Sequence, residues 1–335
     1  MGSAIKSSEI VKKAIHFKNP GRVPLYFPWL GASDVYPIGM NPPSEWKPRV
    51  DGEREWGDIW EKPSEESGIT NMGHRSRVPI QNIADIISFK TPDPFDVSRY
   101  ADLESRLEAA GDKYTLFAWL TVFEKAQDLL GTEELFVHLY DSPREVKILI
   151  EKITGFILGV LEMIKPFQGR LHALQLGDDW GSQNGCLMSI YMFREYFKPV
   201  YGRIIEKAHS QGMDVWLHSC GKINDLIEEF IDIKLDVINL QQCHVLGIDE
   251  ISGRYRSRIT FDCPVDIQRT LPSGTREKIE IEAKMLIEKW GTPHGGFIAT
   301  DYGSNEADHL AIGASRRQTQ YALDAFRKFG NYRQT

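Results

Sequence analysis

The sequence predicts an α/β protein built as a (β/α)8 TIM barrel with an irregular N-terminal extension. Three observations carry that expectation. From about residue 100 onward, short apolar runs alternate with amphipathic helical stretches. The runs are apolar on both faces, as strands of a parallel sheet are when helices cover it. Five consecutive runs then end in carboxylate, thiol, imidazole or amide residues, where a barrel of this kind gathers its chemistry. An open doubly wound sheet is the competing architecture, but no Gly-x-Gly-x-x-Gly follows the first strand.

Taken in order, the chain opens on a helix near Ser8 to Phe17, followed by a short strand from Val23 to Phe27. The rest of the first 100 or so residues is irregular and rich in Pro, Gly and Trp, and Pro92-Asp93-Pro94 breaks the chain at its end. Residues 1–100 therefore read as a segment packed on the barrel, and 101–335 as the remainder of a single barrel domain. Strands are expected at Tyr114 to Leu120, Leu171 to Leu176, Asp214 to His218, Val237 to Leu240, Arg258 to Phe261 and Gly296 to Ala299. Helices are expected at Pro143 to Ile164, Ile190 to Ser210, Ile223 to Ile233 and Thr275 to Trp290. In the second of these, Phe193, Phe197, Val200, Tyr201, Ile204 and Ala208 recur at helical spacing. Seven strands are visible, with the eighth expected in the long middle section.

Composition narrows the function. The 335 residues are 41% hydrophobic and 26% charged, which supports a sizeable core. A net charge of −7 without a basic stripe argues against nucleic acid or an anionic membrane as partner. No apolar run approaches membrane-spanning length, and the N-terminus shows no apolar signal core. Four cysteines are too few for a disulfide scaffold, so a reduced, cytoplasmic setting is expected.

The strand ends define the candidate site. They read Gly177-Asp178-Asp179-Trp180-Gly181-Ser182-Gln183, His218-Ser219-Cys220-Gly221, Gln241-Gln242-Cys243-His244, Asp262-Cys263-Pro264-Val265-Asp266 and Thr300-Asp301-Tyr302-Gly303. His218 and Cys220 form the sharpest pair, because an i, i+2 spacing on extended chain puts both side chains on one face. Imidazole plus thiolate suits zinc, which needs further ligands; Cys263, Asp301, Asp178 and Asp179 are the candidates. A metal-free reading also stands, with a buried Cys beside a hydrogen-bonded His, or a Cys–His nucleophilic pair. Asp178, Asp179 and Asp301 are candidate acid–base residues. Trp29, Trp119, Trp180 and Tyr302 are candidate walls for a planar substrate, with Gln183 and Gln241 as polar contacts. His138, His172 and His209 fall on helices or mid-strand and read as structural.

These runs, together with Asp236-Val237-Ile238-Asn239-Leu240-Gln241, Asp266-Ile267-Gln268, Leu271-Pro272-Ser273-Gly274-Thr275 and Gly295-Gly296-Phe297-Ile298, resemble the uroporphyrinogen decarboxylase superfamily. Pro20-Gly21-Arg22-Val23-Pro24 and Glu55-Trp56-Gly57 with Trp60 fit in the same order, so the resemblance spans nearly the whole chain. It implies a (β/α)8 barrel with its site at the strand C-termini. True decarboxylases of the family carry an Arg-rich N-terminal segment for the substrate's carboxylates. Here that stretch reads Tyr26-Phe27-Pro28-Trp29-Leu30-Gly31-Ala32-Ser33, without arginine.

The corrinoid-dependent methyltransferase branch is the better match. Its coenzyme M members hold zinc with a His-x-Cys pair and a late Cys; this chain keeps His218 and Cys220 but has Asp301-Tyr302 at the late position. The resemblance thus implies zinc on His218 and Cys220, with Cys263 or Asp301 completing the site. The implied reaction moves a methyl group from a methoxylated small molecule, aromatic ones included, or a related small methyl donor to the cobalt of a corrinoid carried by a partner protein. Zinc would act as Lewis acid on the donor oxygen. A metal-free decarboxylase or lyase of a small carboxylic acid, a methylcorrinoid:thiol methyltransferase and a non-catalytic accessory subunit are the alternatives. The superfamily often dimerises, so a homodimer is open.

Overall fold

The computed structural model describes residues 5–61, 74–302 and 314–332. Met1 to Ala4 and Gly303, which the sequence reading touched, lie outside the described residues. Eight parallel strands form one barrel-like sheet: β1 (Leu25–Phe27), β3 (Val35–Ile38), β6 (Tyr114–Leu120), β7 (Ala173–Gly177), β8 (Asp214–Ser219), β9 (Val237–Leu240), β10 (Thr260–Cys263) and β11 (Phe297–Thr300). Around the ring they follow chain order, with β11 pairing back onto β1. A ninth strand, β2 (Ala32–Ser33), runs antiparallel on β1 and passes through Asp34 directly into β3. The Asp34 amide donates to the Leu25 carbonyl at 2.7 Å, and the ring is nearly closed at this seam. Outside the barrel, β4 (Ile59–Glu61) and β5 (His74–Arg77) form a small antiparallel pair.

The eighth barrel strand is therefore β3, near the N-terminus, and not in the long middle section where the sequence reading looked for it. Its four residues include Pro37, which cannot donate to a ladder and reads as a breaker. Beside the nearly open seam only β6 pairs with it, so the missing donor is tolerated. Only a single 3-10 turn, Pro28–Leu30, and β2 separate β1 from β3, whereas the later crossovers carry α-helices in the regular way.

α1 (Ser7–Ile15) closes the N-terminal end of the barrel. Its Val11 and Ile15 pack into the interior against Val35, Tyr114, Leu116, Trp216 and Ile298. The Gly296 amide and the Thr260 hydroxyl take up its last carbonyls, Ala14 and Ile15. The helix expected from Ile190 to Ser210 is present but broken: Ile190–Met192 leads into a π-helical turn, Phe193–Phe197, and then Lys198–Ser210. Pro199 lacks the N–H an unbroken helix would use, which accounts for the wide turn before it.

Strand alternation sorts the core into two shells. Leu174, Leu176, Leu217, Ile238, Leu240, Phe261 and Cys263 point outward into the helix layer. Ala173, Trp216, Val237 and Ile298 point inward. Carried to the C-terminal strand ends, the inward parity falls on Gly177, His218, Asn239, Asp262 and Thr300.

Candidate active site

Two loops meet above β7 and β8. Gly181 and Gly221 lie backbone to backbone: a Cβ on Gly181 would stand 2.7 Å from the Gly221 carbonyl carbon, and one on Gly221 would meet Gly181 closer still. Gly221 also has φ +80°, which favours glycine. The crossing is tied by Lys222 N–H to Ser182 O at 2.7 Å and by Trp180 N–H to Ser219 Oγ at 3.0 Å. It brings Asp179 from one loop onto Cys220 from the other, whose amide donates to Asp179 Oδ1 at 2.8 Å.

His218 Nε2 lies 3.5 Å from Cys220 Sγ and 3.3 Å from Asp179 Oδ1, and one ligand atom from each of the three residues falls within 4.8 Å of the others. Donors on a tetrahedral zinc, with bonds of about 2.0–2.3 Å, stand about 3.3–3.6 Å apart, so zinc fits this donor set. The far side of the imidazole is fixed. His218 Nδ1 donates to Asn239 Oδ1 at 2.6 Å, and Asn239 Nδ2 donates to Asp262 Oδ2 at 2.9 Å. Because the Asn239 amide is oriented by Asp262, Nδ1 is the donor towards Asn239, and Nε2 is the nitrogen directed at Asp179 and Cys220, a ligand once a metal displaces its proton.

The electrostatics favour a cation there. Burial alone would lower His218, but Asp179 and Cys220 raise it well above the ordinary imidazole value. Burial likewise opposes ionisation of Asp179, yet His218 and the Cys220 amide outweigh it and hold the carboxyl below its usual range. Trp119 closes one side, its ring 5.1 Å from that of His218. Gly177 leaves room for it, since a Cβ there would collide with the indole.

Beside this cluster lies a cavity of about 390 Å³ at the barrel mouth. Trp29, Gln241, Asp301 and Tyr302, all expected from the sequence, line it together with Asn239 and Asp262. Burial, with Cys220 and Asp179 nearby, pushes Tyr302 up to about 12 and keeps its phenol protonated. Asp262 is the residue sequence reasoning did not single out. It is fully inside, Oδ2 takes the Asn239 bond, and buried Oδ1 has no hydrogen-bond partner among the described residues. Burial pushes its carboxyl up to about 8, with Asp301 adding to the rise, so at neutral pH it carries a proton. A larger cavity of about 800 Å³ lies against Arg22, Asp34 and Phe326 and holds none of these residues.

The structure sends the remaining expected residues elsewhere. Asp178 faces away from Asp179: it accepts from the Val122 and Glu124 amides at 2.9 and 2.7 Å and from the Tyr201 hydroxyl. Burial pushes it up to about 7. Trp180 is enclosed among aromatic rings, stacked on Phe123 at 4.3 Å and edge-on to Phe193 and Phe197. Gln183 is exposed on the loop beyond. Cys263 has the outward parity and is buried in the helix layer beside Cys243, so it does not join His218 and Cys220. His172 and His209 are engaged in structural bonds to Thr115 and Asp236.

A barrel whose strand ends present a metal-competent Asp–His–Cys cluster beside a polar cavity is built as an enzyme of the (β/α)8 type. Residues 71–300 match the family model described as uroporphyrinogen decarboxylase (URO-D), and the chain belongs to that family. Among solved structures it is similar to a methyltransferase from Methanosarcina mazei, with TM-score 0.70 and 13% identity over 97% of this chain and 99% of that one. At that identity the likeness speaks to the fold. Xylanase 10B from Thermotoga maritima follows with TM-score 0.49 and 10% identity over 99% of this chain and 100% of that one. An endo-1,4-beta-xylanase from Penicillium canescens has TM-score 0.44 and 8% identity, over 73% of this chain and 84% of that one. Neither xylanase bears on the site. No curated protein matches the sequence. Among the described residues, no helix is long and apolar enough to cross a membrane.

Proposed function

We propose that this chain is a methyltransferase that takes the methyl group of a methoxylated small molecule and passes it to a corrinoid presented by a partner protein. The observation that carries the reading is the Asp179–His218–Cys220 donor set, backed by Asn239 and bordering the mouth cavity. These three residues would hold zinc, which when bound supplies Lewis acidity at the donor's ether oxygen. Asn239 keeps Nε2 of His218 directed at the ion. Trp119, Trp29 and Tyr302 wall the substrate, and the mouth leaves the methyl carbon open to the incoming corrinoid. As the carbon–oxygen bond breaks, its electron pair stays on oxygen, and Asp262, protonated in the wall of the same cavity, delivers the proton that makes it a neutral leaving group.

The alternatives fit less well. Among the described residues, the lining of the mouth cavity contains no Arg or Lys, so a multiply anionic tetrapyrrole finds no counter-charge there. With Cys263 turned into the helix layer, the two-thiolate site of a coenzyme M methyltransferase is not assembled. Elemental analysis of protein purified without a metal-affinity tag tests the reading. About one zinc per chain in the wild type, lost in Cys220→Ser, is expected. Wild type without metal, and a variant of unchanged stability, would sink it.

A further inference from the structure

A second cavity, of about 430 Å³, lies behind Trp119 and shares that ring with the mouth cavity. One part of its wall is apolar, from Leu120, Ile153, Phe156 and Ile157. The other part is basic and aromatic. Arg54, Arg75 and Lys125 surround two carboxylates, Asp58 and Asp128, which leaves one positive charge over.

The surplus is concentrated on Arg54. Arg75 and Lys125 are bonded to Asp128 at 2.8 and 3.0 Å. Arg54 stands 3.8 Å from Asp58 and 3.7 Å from Asp128, too far for a hydrogen bond, and its guanidinium makes none among the described residues. It instead lies over the Trp60 ring, with Cζ 4.1 Å from the ring centroid. A planar fork of unused donors, placed over an aromatic ring, is suited to a carboxylate. Glu124, on the same wall, does not cancel the charge. Burial, then Asp178, Asp179 and Asp128, push it up to about 8, so it presents a proton donor at neutral pH.

We propose that this cavity is a binding subsite for an aromatic carboxylate, with Arg54 as its principal contact, and that the carboxylate belongs to the methyl donor. Trp119 stands against His218 on one side and walls this cavity as well, so a flat ring laid along it joins the two ends of one substrate. The donor class is then a methoxylated aromatic acid. That last step rests on the methyl-transfer reading above; the subsite itself does not.

The test is equilibrium binding to the zinc-loaded enzyme without corrinoid, followed by tryptophan fluorescence and calorimetry. The probes are 4-methoxybenzoate, benzoate, neutral 4-methoxybenzyl alcohol and inorganic phosphate. Both acids are expected to bind at least about tenfold more tightly than the alcohol. Arg54→Gln should abolish that preference while leaving the alcohol unchanged, and Arg54→Lys should restore part of it. Arg54 is half exposed, so neither replacement disturbs the core. Equal binding of acid and alcohol, an Arg54→Gln variant that keeps the preference, or binding of phosphate but not benzoate would overturn the subsite. Carboxylate binding that survives while no corrinoid-dependent demethylation is found would instead count against methyl transfer alone.

Discussion

Asp262→Asn separates a buried neutral acid from a buried carboxylate. An asparagine keeps the oxygen that accepts from Asn239 Nδ2 and places an amide NH2 at the position of Oδ1, which has no partner among the described residues, so no existing bond is lost. In the fold burial pushes Asp262 up to about 8, from 3.8 for an ordinary carboxyl. A folded-state value raised this far contributes stability that is fully present below the unfolded value and is lost as pH climbs through the folded one. Between those limits wild type forfeits at most about 1.4 kcal/mol per pH unit relative to the variant. The variant's advantage should thus grow by roughly 2–3 kcal/mol between pH 5 and pH 7, and level off above about 8. Guanidinium unfolding of both proteins at several pH values, with metal stripped by chelator, measures it. Asp178 and Glu124 titrate in the same range, but they are common to both proteins and cancel in the difference. Catalysis supplies a second readout: kcat should drop by about 10²–10⁴ with little change in KM, and the loss of rate above pH 8 should vanish. A stability gap that is the same at pH 5 and pH 7 would mean that Asp262 is ionised in the fold, and the proton-donor role would fall with it.

Two other substitutions probe the supports of the site. Asn239→Ala removes the acceptor that holds His218 Nδ1 and should weaken zinc affinity by about 10–100-fold in a competition titration, with one zinc still bound at saturation. Trp180→Ala empties the centre of the Phe123–Phe193–Phe197 cluster and should cost about 3–5 kcal/mol in denaturant unfolding. Its zinc stoichiometry should be unchanged, whereas a loss confined to substrate affinity would restore Trp180 as a wall of the pocket.

The barrel was legible where the chain is most regular. β6 to β11 are apolar on both faces and separated by helical stretches, so their existence follows from pattern alone. Their ends were harder to read, and for a single physical reason. Four of them extend one or two residues beyond the apolar run, into Gly177, Ser219, Asp262-Cys263 and Thr300, because small or polar residues close these strands, Asp262 and Thr300 among them at inward positions. Asp262 hides in that overrun: its type suggests a solvated loop, and only convergence of the strand ends buries it. β3 was missed because Pro37 argues against a strand anywhere except beside a gap in the ladder.

Parity explains the rest of the site. Asp178 and Asp179 are neighbours with opposite faces, and so are Asp262 and Cys263, but which member faces inward depends on the register between strands. Spacing within one strand needs no such knowledge, and the His218–Cys220 pair is the part of the cluster read directly from it. The link to Asp179 crosses from one strand to the next, yet the sequence does carry a trace of it. Gly181 sits two residues after Asp179 and Gly221 one after Cys220, and each is glycine because the other's backbone occupies the space of a side chain. A glycine after each of two polar strand ends therefore marks loops that touch, and here the touch is what brings a carboxylate, an imidazole and a thiol together around one point.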